Sequence, residues 1–81
     1  FMGANGVALA EGYTTPDLEE AELKAVALRR AREAWFLTDA SKFGKVYAAV
    51  ICPLTEGALL TNRLPNEKYR QYTLVKESEL A

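Results

Sequence analysis

The sequence predicts an α/β fold built on a layered sheet, and three observations carry the prediction. Trp35-Phe36-Leu37 is aromatic or aliphatic with no polar alternation, the pattern of a parallel strand covered on both faces rather than one that is half wet. Thr15-Pro16-Asp17 opens a run of strong helix formers. Residues 39–45 then read as the loop at the carboxyl end of the Trp35 strand, where ligands of open α/β sheets sit. A lysine and a glycine in that loop point to capture of something small and anionic.

Taken in order, Phe1-Met2 is a short strand entering the glycine-punctuated turn Gly3-Ala4-Asn5-Gly6. Glycines there allow positive φ or close approach of the backbone to a ligand, although a lone Gly-x-x-Gly is more often a plain turn. Residues 7–10 form a second apolar patch, broken by Glu11-Gly12. Thr15 is a good N-cap, Pro16 fits the first helical position where its missing N–H costs nothing, and Asp17 complements the positive end of the helix dipole. The helix is expected to run to Arg32 or Glu33. Leu18, Ala21, Ala25 and Leu28 make a core-facing stripe on its wheel, with Leu23, Ala27 and Ala31 a second stripe beside it. Between them fall Glu20 and Lys24, an i,i+4 pair worth only about 0.2–0.5 kcal/mol on an exposed helix. Desolvation would oppose a covered pair. A tilted helix would leave it wet at one rim, and both readings stay open. Arg29, Arg30, Arg32 and Glu33 meet solvent.

Past the Trp35 strand, Lys42 is by position type an ordinary surface lysine, and Asp39 and Ser41 could serve only to cap the following turn. Gly44-Lys45 is not a Walker loop, because the earlier glycine would fall at Asp39 and no Ser or Thr follows. Residues 46–52 are continuously apolar and extended, ended by Pro53, though Ala48-Ala49 would also suit a short helix. Residues 57–62 read as another short buried strand and residues 65–72 as a brief helix opening on Pro65. Thr73-Leu74-Val75 gives a last strand, and residues 76–81 fray. No internal repeat or low-complexity segment interrupts the chain.

With 81 residues, one domain is the ceiling. Hydrophobic residues make up 49% and charged ones 26%, the mix of a globular domain rather than a disordered one. Ten basic and eleven acidic residues leave a net charge of −1, and no basic block exceeds Arg29-Arg30, so this stretch does not read nucleic acid itself. No run approaches the ~20 apolar residues of a membrane span, and no signal-peptide pattern opens the chain. Cys52 stands alone, which favours a reducing, cytoplasmic setting without a disulfide framework. The absence of histidine excludes a Cys/His or Ser/His catalytic pair, and no metal site or cofactor is expected. Because the chain opens directly on apolar Phe1-Met2, it reads as a piece of a longer protein whose exposed edges seek partners, and a homo-oligomer is expected.

Three motifs in order, Phe-Met-Gly-Ala-Asn-Gly-Val at residues 1–7, Gly-Tyr-Thr-Thr-Pro-Asp-Leu-Glu-Glu-Ala-Glu-Leu-Lys at 12–24 and Asp-Ala-Ser-Lys-Phe-Gly-Lys at 39–45, resemble the C-terminal sensor domain of the DeoR family of transcriptional repressors. The resemblance extends to Cys52-Pro53-Leu54 and through Thr61-Asn62. It implies a sensor fold like that of ribose-5-phosphate isomerase and the CoA transferases, present here as a partial domain over residues 1–81. A phosphorylated sugar would bind it and release an N-terminal winged helix-turn-helix, absent from this sequence, from DNA. The Asn5, Thr-Thr-Pro-Asp and Glu-Glu-Ala combination is most similar to the sugar-phosphotransferase branch, the fructose and lactose operon repressors, implying fructose 1-phosphate or tagatose 6-phosphate as effector.

The same resemblance assigns roles. Gly3 and Gly6 would bring backbone N–H groups to the ligand, and Asn5 would hydrogen-bond a sugar hydroxyl. Thr14 and Thr15 would offer hydroxyls and unsatisfied N–H donors to an anion. Glu20 would accept from sugar hydroxyls, with Lys24 orienting it or adding positive potential. Lys42 would make the principal charge contact, fixed by Asp39, with Ser41 in the same loop. Related isomerases carry an acid where this chain has Asn5, and an amide there removes a potential general base. A sensor without chemistry is therefore expected ahead of an isomerase-like enzyme fragment or a purely structural oligomerisation segment.

Overall fold

A computed structural model describes residues 1–78. Its elements are β1 (Met2–Gly3), β2 (Gly6–Ala8), β3 (Gly12–Thr15), α1 (Leu18–Arg30), β4 (Trp35–Thr38), β5 (Ala49–Cys52), β6 (Ala58–Thr61) and β7 (Val75–Glu77), with 3-10 turns at Ala40–Lys42, Leu54–Glu56 and Glu67–Gln71. The expected α/β architecture is present. Four strands form a sheet in the order β1-β4-β6-β7, every neighbouring pair parallel, and β2-β3-β5 form a separate antiparallel sheet. Met2 lies beside Phe36, Phe36 beside Leu59 and Leu59 beside Val75, so one row of side chains crosses the parallel sheet.

That row is the core. Phe36 and Leu59 are fully buried and Val75 nearly so, under the antiparallel sheet. Tyr13 of β3 stacks on Phe36 with ring centroids 3.9 Å apart, and its hydroxyl donates to the Gly57 carbonyl at 3.3 Å. Tyr69, from the 3-10 turn before β7, donates to the Val7 carbonyl at 3.1 Å and meets Phe43 edge-on. Burial pushes the Tyr13 phenol up to about 12, so it stays a neutral donor. The Cys52 thiol is likewise pushed up to about 12 by burial, which leaves it a small apolar core group rather than a nucleophile.

Several expectations are corrected. The Trp35 strand is parallel but covered on one face only, since Leu37 is 42% exposed on the other. Helix α1 is capped by Asp17, not Thr15: the Asp17 carboxylate accepts from the N–H groups of Glu19 and Glu20. Thr15 cannot cap because its backbone belongs to β3. The helix ends at Arg30, short of Arg32, because the chain must turn back into β4. Of the two apolar stripes, Ala21 is buried and Ala25 and Leu28 half-buried, while Leu18, Leu23, Ala27 and Ala31 are exposed. The helix packs on β5 and β3 along a narrow seam, too narrow for two stripes. Residues 46–52 yield only the strand Ala49–Cys52, with Val50 exposed. The last strand begins at Val75 rather than Thr73 and takes in Lys76 and Glu77, which do not fray; residues 79–81 lie outside the described residues.

Candidate functional site

Parallel strands all deliver their carboxyl ends to one side of a sheet, and Gly3 ends β1 while residues 39–42 follow β4 there. Gly3 closes β1 and pairs with Leu37 of β4, so Asn5 and Asp39 each lie two residues beyond neighbouring positions. Thr38 pairs with Thr61, which places Asp39 and Asn62 as the first residues past β4 and β6.

The first cluster is built around β1. The Lys24 ammonium, on α1, donates to the Gly3 carbonyl at 2.6 Å and to the Glu20 carboxylate at 2.5 Å. The Lys24 side chain is 20% exposed and that of Glu20 45%, so the pair sits at a rim with the acid outward, as the tilted-helix reading has it. Thr15 donates its hydroxyl to the Asn5 side-chain carbonyl at 3.1 Å, and the amide N–H groups of the exposed Asn5 have no partner among the described residues. The Asn5 N–H donates to the Thr14 carbonyl at 3.0 Å. The Thr14 hydroxyl accepts from the Tyr47 N–H at 3.0 Å and donates to the Gly6 carbonyl at 3.5 Å.

Thr14 and Thr15 are fully buried. Their hydroxyls bond within the fold, and two N–H groups at the start of α1, those of Glu19 and Glu20, donate to the Asp17 carboxylate. Thr14 thereby joins the Gly6 carbonyl to the Tyr47 N–H, and Thr15 holds the side chain of Asn5. Gly6 is a glycine for an internal reason: a Cβ there would stand 2.3 Å from the Lys45 carbonyl oxygen. A Cβ on Gly3 would meet nothing within 4 Å, so the space over Gly3 is open.

The second cluster is the loop after β4. The Asp39 carboxylate accepts from the Ser41 N–H at 2.9 Å and from the Ser41 hydroxyl. Those bonds hold the exposed Asp39 carboxyl below its usual range, helped by the charges of Lys42 and Lys45. Asp39 caps its own turn, and no ion pair joins it to Lys42 among the described residues, which corrects the expectation that it grips the lysine. Lys42 is half-buried. The loop is tied back to the first cluster through its far end, where the Gly44 N–H donates to the Val7 carbonyl at 2.8 Å and Phe43 bridges Val7.

Sequence reasoning missed Asn62. Its side-chain carbonyl accepts from the Ala40 N–H at 2.9 Å and so fixes the turn that carries Ser41 and Lys42. A signal was present: Leu37-Thr38-Asp39 and Leu60-Thr61-Asn62 are the same pattern at two adjacent strand ends. Clefts also lie elsewhere, among them one of 550 Å³ beside Phe1, Trp35, Leu60 and Lys76 and one of 340 Å³ around Glu33, Gly57 and Thr73. Among the described residues no helix is long and apolar enough to cross a membrane, and no group of three His, Cys, Asp or Glu could hold a metal ion.

Residues 1–62 match the family described as the DeoR C terminal sensor domain. Over 79 residues the chain is 37% identical to a Bacillus subtilis protein named as the uncharacterized HTH-type transcriptional regulator FruR, covering 94% of this chain and 32% of that protein. Over 73 residues it is 36% identical to the HTH-type transcriptional regulator IolR of the same organism, covering 89% of this chain and 29% of that protein. The chain spans about a third of the length of the curated relatives it matches.

Proposed function

The chain belongs to the DeoR C-terminal sensor-domain family, and from that premise we propose that residues 1–81 are part of one effector-binding domain that takes a phosphorylated sugar. The family is one of transcriptional regulators rather than enzymes. The observation that supports the reading best is the bond web at the strand ends, in which Lys24 bonds both Gly3 and Glu20 while Thr15 fixes Asn5. It gives an acid, an amide and an open backbone near the carboxyl ends of the parallel strands, where open α/β sheets bind ligands.

Each group then has a distinct task. The Glu20 carboxylate accepts hydrogen bonds from sugar hydroxyls, and Lys24 holds it in place. The Asn5 amide donates to a sugar oxygen. Gly3 leaves room for the sugar to lie against the backbone, with Gly6 letting the 39–45 loop close up to β2. Lys42 supplies the charge contact to the phosphate, on a turn shaped by Asp39, Ser41 and Asn62. Thr14 and Thr15 act from behind, as positioning residues. The chemistry stops at binding, since an amide at Asn5 offers no general base. Within the whole regulator, effector binding would act on DNA through a helix-turn-helix domain outside this sequence and repress sugar-metabolism genes. A cytoplasmic protein of the sugar-phosphotransferase branch would take fructose 1-phosphate or tagatose 6-phosphate.

A thermal-shift panel of hexose and pentose phosphates, each beside its unphosphorylated sugar, tests the reading. At about 100 times its Kd one phosphosugar is expected to add about 2.7 kcal/mol. That corresponds to a rise of about 10 °C or more in Tm for a domain of this size. Lys42→Ala removes the shift and leaves the unliganded Tm in place. A panel that moves Tm for no phosphosugar, or equally for sugar and phosphosugar, sinks the proposal.

A further inference from the structure

Helix α1 turns an apolar strip away from the body of the protein. Glu19, Glu22, Leu23 and Val26 border a shallow groove of 370 Å³ there, with Leu23 72% and Val26 39% exposed. Successive helical residues are rotated by about 100°, so Ala27 and Arg30 share the same face. Glu19, Glu22, Ala27 and Arg30 are all exposed, and none of the three charged residues enters an ion pair among the described residues. The strip is thus apolar at its middle, acidic in its first turn and basic in its last.

That charge order makes the strip complementary to itself. We propose that the outward face of α1 seats the same helix of a second copy of this chain, packed antiparallel about a two-fold axis. An axis at the level of Lys24 and Ala25 sets Glu19 against the second copy's Arg30 and Leu23 against the second copy's Val26. It also sets Glu22 against the second copy's Ala27, and every pairing occurs twice, as an isologous contact requires. The antiparallel direction also puts the positive end of each helix dipole beside the negative end of the other. A parallel arrangement would stack Glu19 on Glu19 and Arg30 on Arg30 instead. With 13 residues, α1 offers a short contact, below the standard size of a stable interface, so the dimer is weak and concentration-dependent. The pairing is independent of what the sensor binds.

Sedimentation velocity on this chain at low salt, from about 10 μM to about 1 mM, spans the affinities of contacts below standard size. The average mass is expected to rise across that range. Glu19→Arg and Arg30→Glu each turn both Glu–Arg contacts into like-charge contacts and weaken association by about tenfold. Glu19→Arg/Arg30→Glu together restore opposite charges and return the affinity to within about threefold of the original. Both substitutions oppose the helix dipole, so an effect working only through helix stability would be worst in the double variant. A chain that stays monomeric to the top of the range overturns the proposal, because the strip is then left for another part of a longer polypeptide or another protein. A dimer insensitive to these charges, or weakest in the double variant, overturns it equally.

Discussion

Thr38 holds a buried hydroxyl with no hydrogen-bond partner among the described residues, one position before Asp39. An unsatisfied buried polar group costs about 1–3 kcal/mol, so Thr38→Val, which keeps the branched shape and removes the hydroxyl, is expected to stabilise the chain by about 1 kcal/mol. Equilibrium urea denaturation checks this, and a loss of stability would mean that the hydroxyl has a partner. Thr61, beside it in the sheet, differs because its hydroxyl donates to the Asn62 side chain and the Arg63 carbonyl. At this scale residue types were legible in the sequence and their partners were not. The hydroxyls of Thr14 and Thr15 were recognisable as site chemistry, but their bonds to Tyr47 and Asn5 join residues far apart in the chain. Neighbouring residues cannot show whether a hydroxyl faces a ligand or a strand. Likewise the Asn62 side chain accepts from the Ala40 N–H, 22 residues away in the chain, a pairing that no neighbouring residue announces.

The helix shows how local grammar can be right about an element and wrong about its first residue. Thr15, Pro16 and Asp17 are all good starters, and β3 settles the choice by drawing Thr15 into its ladder against Ala49. Asp17 is left to accept from two of the orphan N–H groups while its charge meets the positive end of the dipole. Asp17→Ala is expected to cost about 1 kcal/mol, read as a Tm lower by about 4–8 °C, whereas Thr15→Val should cost by loosening Asn5 and leave the helix start intact. Amide exchange at Glu19 and Glu20 distinguishes the two: faster exchange in Asp17→Ala alone is the expected result, and equal exchange in both variants would return the cap to Thr15. Helical periodicity failed differently. It counts apolar residues around the wheel without knowing how wide the opposing surface is, and β5 and β3 have room for Ala21, Ala25 and Leu28 only. The brief helix expected from Pro65 forms instead as the 3-10 turn Glu67–Gln71, capped by Asn66.

Across the whole molecule, the parallel sheet is the frame that brings distant segments to one side, and the uninterrupted apolar run at Trp35 already announced it. What that run could not convey is sidedness. A strand covered on both faces and one covered on a single face by this chain carry the same residues when the second face is apolar too. Here Phe36 points under the antiparallel sheet onto Tyr13, while Trp35 and Leu37 point to the open face that they share with Leu60. Two neighbours on one strand therefore stand in opposite environments, which gives a test of the architecture itself. Phe36→Ala removes a stacked, fully buried ring and is expected to cost about 3–5 kcal/mol. Leu37→Ala gives up a side chain already 42% exposed and is expected to cost under about 1 kcal/mol. Since a chain of this length has only about 4–12 kcal/mol of stability in all, the first variant should sit close to unfolding while the second melts near the parent. Paired guanidinium melts decide it. Equal losses at the two positions would mean that the face carrying Leu37 is covered as well, and the one-sided packing described here would have to be abandoned.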